Sequence, residues 1–456
     1  MKIYSDTEVY IICPANYHTG GAELLHQLCS QLIQFGINAY MTYFPAGRDF
    51  NPEDPVDSFY KKYHINYTNN IVDEEHNIFI VYEGVTQYLY QFKKIRRVLW
   101  WLSVDNYLHC LASFIDNFTN FVLTEKPLQK FFYFDDRDGN IEHWVQSEYA
   151  RQFIELNGIH KDHIYLVEDY MNQAFLKRSK SIDFSKKENI VAFNPKKGIE
   201  TTKVIISQAP DIDWRPIQNM TPDQVQELLA KCKVYIDFGN HPGKDRIPRE
   251  AALAGCVIIT GKRGSAANDI DINIPTEFKF DEKVTSPFSI IKKIREIFVN
   301  FEENFHKQRS YRDKILDDKS RFSMEVAKAF SLQNIFNLPQ IVAIANGIND
   351  NNLHFANFLF KTENKFLPLF IIDDNFSKDS RQDNLKYIRR EGNSSYIYFD
   401  NKKRLEIISS EDAKFLYLEG RIKKFAFFSQ NDKEVKDFEE NFQLKSEDII
   451  IAKIAE

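Results

Sequence analysis

Apolar residues recur along this chain in two registers. Some stand in short unbroken runs bounded by polar or glycine-containing turns. Others return every three or four positions. The first pattern predicts buried strands and the second amphipathic helices. Val9–Cys13 reads as the opening strand. From about Ala22 to Phe35, Leu25, Leu28, Cys29 and Leu32 fall at i, i+3, i+4 and i+7, one buried stripe, and Gly36 stands where a helix-ending glycine belongs. Asn38–Phe44 is predicted as the second strand, and Ile78–Tyr82, Val98–Leu102 and Phe121–Leu123 as further ones. The polar stretch Lys177–Glu188 has the composition of a linker.

Beyond it the alternation resumes, with strands expected at Ile190–Phe193, Val234–Phe238 and Val257–Thr260 and a helix over Pro248–Ala254. Thr221-Pro222-Asp223-Gln224 combines an N-cap threonine, a first-turn proline, an acid for the helix dipole and a capping-box glutamine. Val225, Leu228, Leu229 and Cys232 would form the apolar face of that helix. In the tail, Ile341–Ala345, Leu367–Ile372, Tyr396–Phe399, Lys424–Phe428 and Ile449–Ile454 are strand-like. The expected fold class is α/β: one Rossmann-like domain at 1–175, a second at 186–335, and a small extra α/β module at 338–456 whose sequence points to no chemistry.

Composition narrows the functions. The 456 residues are 43% hydrophobic and carry a net charge of −6, which excludes a disordered chain and argues against nucleic acid as a partner. No run approaches the ~18 apolar residues of a membrane span, and the N-terminus has no signal-peptide core, so a cytoplasmic location is expected. Five scattered cysteines without a C-x-x-C pair read as reduced thiols and no zinc site.

Four segments place glycines and polar groups just after predicted strands. The first, Pro14-Ala15-Asn16-Tyr17-His18-Thr19-Gly20-Gly21, precedes a helix whose N–H groups suit an anion, though a plain turn has the same look. The second, Asn194-Pro195-Lys196-Lys197-Gly198, puts lysines where ligands bind in open α/β sheets, or else is a solvated turn. The third and densest runs from Asp237 to Ala252, and its Lys244, Arg246 and Arg249 could neutralise a diphosphate. The fourth, Thr260 to Asn268, repeats the glycine-turn arrangement one strand later. Four such turns on two successive α/β units point to one ligand held between them.

As a set, these segments resemble GT-B glycosyltransferases, glycosyltransferase family 4 in particular, of the kind that builds bacterial surface polysaccharides. The resemblance is carried by Thr19-Gly20-Gly21-Ala22-Glu23, by Trp100–Tyr107 and Gln146–Ala150, and above all by residues 237–268. It covers roughly 8–335 and leaves out the tail. It implies two facing Rossmann-like domains with the active site in their cleft and a nucleotide-sugar donor held by the second. By that resemblance Lys196, Lys197, Lys244 and Arg246 would meet the diphosphate, Glu250 the ribose, and the backbone of Gly20, Gly21, Gly264, Ser265 and Ala266 the phosphate or sugar oxygens. It also implies no metal, no cofactor beyond the donor itself, a glycan or glycolipid acceptor, and retention of anomeric configuration.

One departure stands out. The family usually has a glutamate eight positions before the one matched by Glu250, and this chain has Pro242 there, after His241. His241 or Asp245 would have to serve instead, with Asp105 as the candidate from the first domain and Glu23 a further acceptor-side group. That departure also keeps open a catalytically degenerate donor-binding scaffold. A nucleotide-sugar epimerase of the same fold is the other rival. Gln91–Arg97 with Trp100 and Trp101 reads either as a peripheral membrane patch at the inner face of the membrane or as a helix C-terminus whose cations satisfy the dipole, leading into a buried strand. Asp135–Asp138 and Asp373-Asp374 read as solvated turns rather than metal sites.

Overall fold

The amino-terminal apolar run becomes strand β1 (Glu8–Pro14), buried at every residue after Glu8. The structure, a computed structural model, describes residues 1–4, 6–45, 54–124, 130–134, 140–172, 176, 183–332, 340–361, 366–376, 388–391, 394–399, 403–418, 421–428, 432–442, 444 and 448–452. The chain divides into two units. One takes residues 1–12, 19–27 and 70–331, and the other takes 13–18, 28–69 and 332–456. Helix α1 (Gly20–Gln34) contributes residues to both. Its stripe of Leu25, Leu28, Cys29 and Leu32 is buried, and Gly36 ends it at φ +77°.

In the second unit β2 (Asn38–Phe44) runs parallel to the short β3 (Asn66–Tyr67). In the first unit β4 (Ile78–Tyr82), β5 (Arg96–Trp101), β6 (Ile141–Val145) and β7 (Ile164–Leu166) follow β1 in the parallel order β1-β4-β5-β6-β7. Helix α2 (Val104–Thr124) follows β5, and α3 (Glu148–Leu156) follows β6. The strand expected at Phe121–Leu123 is instead the last turn of α2. A short apolar run cannot by itself distinguish a strand from the end of a helix. Trp100 and Trp101 are buried in β5, with the Trp100 indole donating to the Val167 carbonyl at 3.2 Å. They belong to a core strand, so their rings are not offered to a membrane.

A second parallel sheet lies in the same unit. Its strands β8 (Glu188–Phe193), β9 (Asp213–Pro216), β10 (Cys232–Asp237) and β11 (Val257–Thr260) stand in the order β11-β10-β8-β9. Chain order therefore reverses between β8 and β10. Helices α4 (Ile199–Gln208), α5 (Pro222–Lys231) and α6 (Arg246–Leu253) connect these strands. The capping box forms as expected, Gln224 N–H to Thr221 Oγ1 at 3.3 Å and Thr221 N–H to Gln224 Oε1 at 2.8 Å. Val191, Ile205, Leu229, Ile236, Ala251 and Ile258 lie in one core cluster.

Of the expected linker, 177–182 lie outside the described residues, as do Asp135–Asp138. Asp183 onward is ordered structure: a short 3-10 turn, Phe184–Lys186, leads into β8.

The tail forms a seven-stranded sheet in the second unit. Its strands are β12 (Gln340–Ile344), β13 (Phe366–Ile372), β14 (Ile388–Glu391), β15 (Ser394–Tyr398), β16 (Arg404–Ile408), β17 (Lys424–Phe428) and β18 (Ile449–Ala452). The order is β14-β15-β16-β13-β12-β17-β18, parallel except for the antiparallel meander of β14, β15 and β16. Among the described residues no helix is long and apolar enough to cross a membrane.

Candidate functional site

In an open parallel sheet, the place where strand order reverses leaves a crevice outside the carboxyl ends of the two strands. In the second sheet of the first unit those strands are β8 and β10, and the loops that follow them meet. Lys197, from the loop after β8, sets its ammonium 2.7 Å from Asp245 Oδ2, from the loop after β10. Lys197 keeps 32% of its side chain exposed. The neighbouring Lys196 is exposed, and its N–H donates to Asn194 Oδ1 at 3.0 Å.

The loop after β10 is tied down at its start. Asp237 accepts the Gly239 N–H at 2.9 Å and the Tyr235 hydroxyl at 3.0 Å. His241, fully buried, lies between two carboxylates, Nδ1 3.0 Å from Asp245 and Nε2 3.7 Å from Asp237. The second distance is too long for a hydrogen bond and acts through charge. Burial pushes the imidazole pKa down, but contact with Asp245 and the charges of Asp237 and Asp245 more than reverse this, so the net shift is upward. His241 thus favours its charged form more than a free imidazole does, sits against Asp245, and is buried away from solvent. Among the described residues, Asp237, His241 and Asp245 form the one group whose ligand atoms are close enough to hold a metal ion. The fit is poor, because the two imidazole nitrogens face different carboxylates and the Lys197 ammonium already sits on Asp245.

The turn after β11 is zipped to the same loop. Gly264 adopts φ +58°, and a Cβ there would lie 2.0 Å from the His241 carbonyl oxygen, so only glycine fits. Ser265 N–H donates to that carbonyl at 2.8 Å, and Ser265 Oγ donates to the Gly243 carbonyl at 2.7 Å. Ala266 is buried, and its N–H donates to the Arg263 carbonyl at 3.2 Å. The amides of Ser265 and Ala266, expected to hold ligand oxygens, are therefore engaged inside the turn.

The three cations of the densest segment have different fates. Lys244 is 6% exposed, with its ammonium bound to Glu168 and 3.0 Å from Asp318. Arg249 is buried, donating to Asp169 at 2.6 Å and to the Lys244 carbonyl at 2.9 Å. Burial raises the pKa of Asp169, but Arg249 and Lys244 hold it down to about 2. Both cations brace the loop from beneath and do not present charge to a ligand. Arg246 points the other way. It pairs with Glu23 of α1, stays 22% exposed, and its Nε would lie 3.2 Å from a Cβ on Gly20. Glu250 lies near this pair. Burial raises its pKa, Arg246 and Arg249 lower it, and Glu23 raises it further, for a net rise.

The carboxyl-end loops of the first sheet reach the same place. Thr19 caps α1 through the Ala22 N–H at 3.2 Å, and Gly21 packs by Leu102. Asp105, in the first turn of α2, accepts from the Asn240 side chain. Val104 N–H donates to the Pro242 carbonyl at 3.1 Å. Gly243 approaches so closely that a Cβ would stand 2.4 Å from the Leu102 carbonyl oxygen. Asp271 accepts both N–H groups at the start of α3, Glu148 at 2.8 Å and Tyr149 at 3.0 Å.

Lys197, His241, Asp245, Arg246, Glu250, Gly264 and Gly20 thus belong to one connected set with Asp105 and Glu23. His18, in the second unit, stacks on Phe59 at 4.3 Å between centroids. Sequence reasoning missed Glu83. This buried carboxyl, raised by burial to about pKa 7, accepts the Leu102 N–H at 2.8 Å and the Asn106 amide at 2.9 Å. It thereby fixes the turn from β5 into α2, beside Asp105. Its signal was an acidic residue directly after the apolar run Ile78–Tyr82.

No family model matches this chain, and no curated protein does. Solved structures do. The chain is similar to HepE of Anabaena, crystallised with UDP and glucose, at 11% identity over 71% of this chain and 99% of that one, with a TM-score of 0.42. It is similar to the sucrose-phosphate synthase of Thermosynechococcus elongatus at 11% identity over 72% and 99%, with a TM-score of 0.47. It is likewise similar to the lipopolysaccharide outer core galactosyltransferase WaaB, at 11% identity over 72% and 100%, with a TM-score of 0.43.

Proposed function

We propose that the chain is a glycosyltransferase that moves a sugar from a nucleotide-sugar to a hydroxyl of a surface-glycan acceptor. The observation that supports this reading is the meeting of Lys197 and Asp245 at the strand-order reversal of the second sheet, with Arg246 held over Gly20 from the same loop. In this reading residues 186–335 hold the donor, and loops of residues 1–175 face the acceptor. The donor diphosphate takes up Lys197 and Arg246, whose present partners, Asp245 and Glu23, are carboxylates. Oxyanions would replace oxyanions there, and both cations stay partly exposed. Glu250 accepts from the ribose hydroxyls.

The bond from the sugar's anomeric carbon to the phosphate oxygen breaks. The bond to the acceptor oxygen forms, and the acceptor's proton leaves on the departing diphosphate or on Asp105. Lys197 and Arg246 stabilise the charge that develops on the leaving diphosphate without a metal. Asp245, oriented by His241, takes the place of the family's missing glutamate, with retention of configuration.

Incubating the protein with UDP- and GDP-sugars, with and without glycan acceptors, should release nucleoside diphosphate. Arg246→Ala and Lys197→Ala should each weaken nucleotide binding about 10- to 100-fold in calorimetry, as expected for loss of a charge-assisted contact. Lys244→Met should instead lower the melting temperature, because it removes one of the buried cations shared by Glu168 and Asp318, leaving Arg321 to both and Arg249 to Asp318. Nucleotide affinity unchanged in both surface variants would remove the donor site. Binding without turnover would favour the scaffold, and sugar interconversion alone would favour an epimerase.

A further inference from the structure

The second unit contains a cavity that the donor reading does not use. About 330 Å³ opens beside the carboxyl ends of β13 and β16, within the ~300–1,000 Å³ range of small-molecule sites. Asp373 and Asp374 follow β13 directly, and both are held. Asp373 accepts the Ile348 N–H at 2.9 Å and the Asn375 N–H at 3.0 Å, and Asp374 accepts the Ser410 N–H at 2.7 Å and its hydroxyl at 2.5 Å. Glu406 accepts the Ser394 hydroxyl at 2.6 Å, and Asp412 accepts the Ser409 hydroxyl at 2.9 Å. Residues 54–67 supply the remaining lining, including Tyr60, Tyr67 and Asp54, the last paired with Lys61 at 2.7 Å. Phe376 and Tyr396 complete the aromatic lining.

The lining selects its occupant. It has five acidic side chains, Asp54, Asp373, Asp374, Glu406 and Asp412, against one lysine, so a phosphate or nucleotide would meet like charge. A chelated cation is disfavoured as well. Among the described residues, no three carboxylates of this cavity bring their oxygens within 4.8 Å of one another. What remains is a neutral or positively charged molecule with many hydroxyl donors and flat apolar faces. Carboxylates and serines accept the hydroxyls, and tyrosine and phenylalanine rings cover the C–H faces.

The site also extends. A second cavity of about 320 Å³ shares Tyr67 and Tyr396 with the first and adds Tyr40, Asn66 and Arg404, whose guanidinium lies 4.3 Å from the Tyr396 ring centre. We propose that the second unit binds a saccharide, as an uncharged or amino-bearing pyranose that continues past Tyr67 and Tyr396 into at least one further sugar unit. This goes beyond the donor reading and stands whether or not the first unit transfers sugar.

The full chain can be titrated by calorimetry and saturation-transfer NMR with methyl glycosides of glucose, galactose, N-acetylglucosamine and glucosamine, and with maltose, lactose and chitobiose. UDP and magnesium serve as comparison ligands. At least one saccharide should bind saturably, and a disaccharide should bind several-fold more tightly than its monosaccharide. Tyr396→Ala and Asp412→Asn should each weaken that binding tenfold or more and leave UDP affinity unchanged. Arg246→Ala should leave saccharide affinity unchanged, which separates this site from the donor site. If Tyr396→Ala does not fold, Asp412→Asn decides. The proposal is overturned if nothing in the panel binds, if both variants bind like the parent, or if binding is lost in Arg246→Ala.

Discussion

His241 is an imidazole with no route to solvent, pressed between Asp237 and Asp245. Folding opposes its charge by burial, but the two carboxylates favour the charge more strongly, so its pKa lies above the usual ~6.5. A raised histidine pKa means that protonation stabilises the native state. The contribution is complete below about pH 6.5 and is lost as pH rises through the folded-state value. His241→Gln should therefore melt below the parent at pH 6, with the gap narrowing toward pH 9 in scanning calorimetry. A gap independent of pH would show that the ring acts only by its shape. The residue types at this site were legible in the sequence, because lysine, arginine and glycine clustered after strands. Their individual fates were not. Lys244 and Arg246 lie two positions apart, yet one is buried against Glu168 and Asp318 and the other stays partly exposed beside Glu23. The difference is made by carboxylates dozens to hundreds of positions away, which no local pattern displays.

At the level of elements, Lys187 shows how a segment that reads as a linker can be structural. Its ammonium donates to three carbonyls, those of Leu229 at 2.9 Å, Cys232 at 2.8 Å and Ala254 at 2.7 Å. These lie at the ends of α5 and α6 and at the start of β10, so one side chain ties the entry of β8 to its neighbours. Lys187→Met would remove the ammonium from all three carbonyls, leaving those of Leu229 and Cys232 only the weak Cys256 thiol donor at 3.3 Å. At roughly 1 kcal/mol or more for a stranded acceptor, and less for the two that keep the thiol, the loss should reach about 1–2 kcal/mol. It would be read as a lower urea midpoint at constant slope. An unchanged midpoint would mean that water replaces the ammonium. Strands with unbroken apolar runs, such as β4, β11 and β17, were legible because burial on both faces leaves a continuous signal. The edge strands β9 and β14 were not. Asp213–Pro216 and Ile388–Glu391 are short and largely polar, as sheet edges commonly are, and they carry little periodicity.

At the scale of the whole molecule, the tail shares a unit with residues 28–69, an association that hydrophobic spacing could not reveal. The tail's own α/β character was legible, but its partners lie more than 300 positions away. Arg421 donates to the carbonyls of Lys62 at 3.3 Å and His64 at 3.1 Å, and the Tyr396 hydroxyl donates to Asn66 Oδ1 at 3.3 Å. Burial and the nearby Arg421 charge together push the His64 imidazole down to a pKa of about 3, so this ring is neutral at any physiological pH. Deleting residues 332–456 would remove these donors and expose backbone at 62–66 that is now hydrogen-bonded. The truncated chain should melt earlier and less cooperatively than the parent. Amide hydrogen exchange should accelerate across 58–67 while β8, β10 and β11 keep their protection. Equal protection of 58–67 in both chains would show that this segment is held by residues before 70 alone.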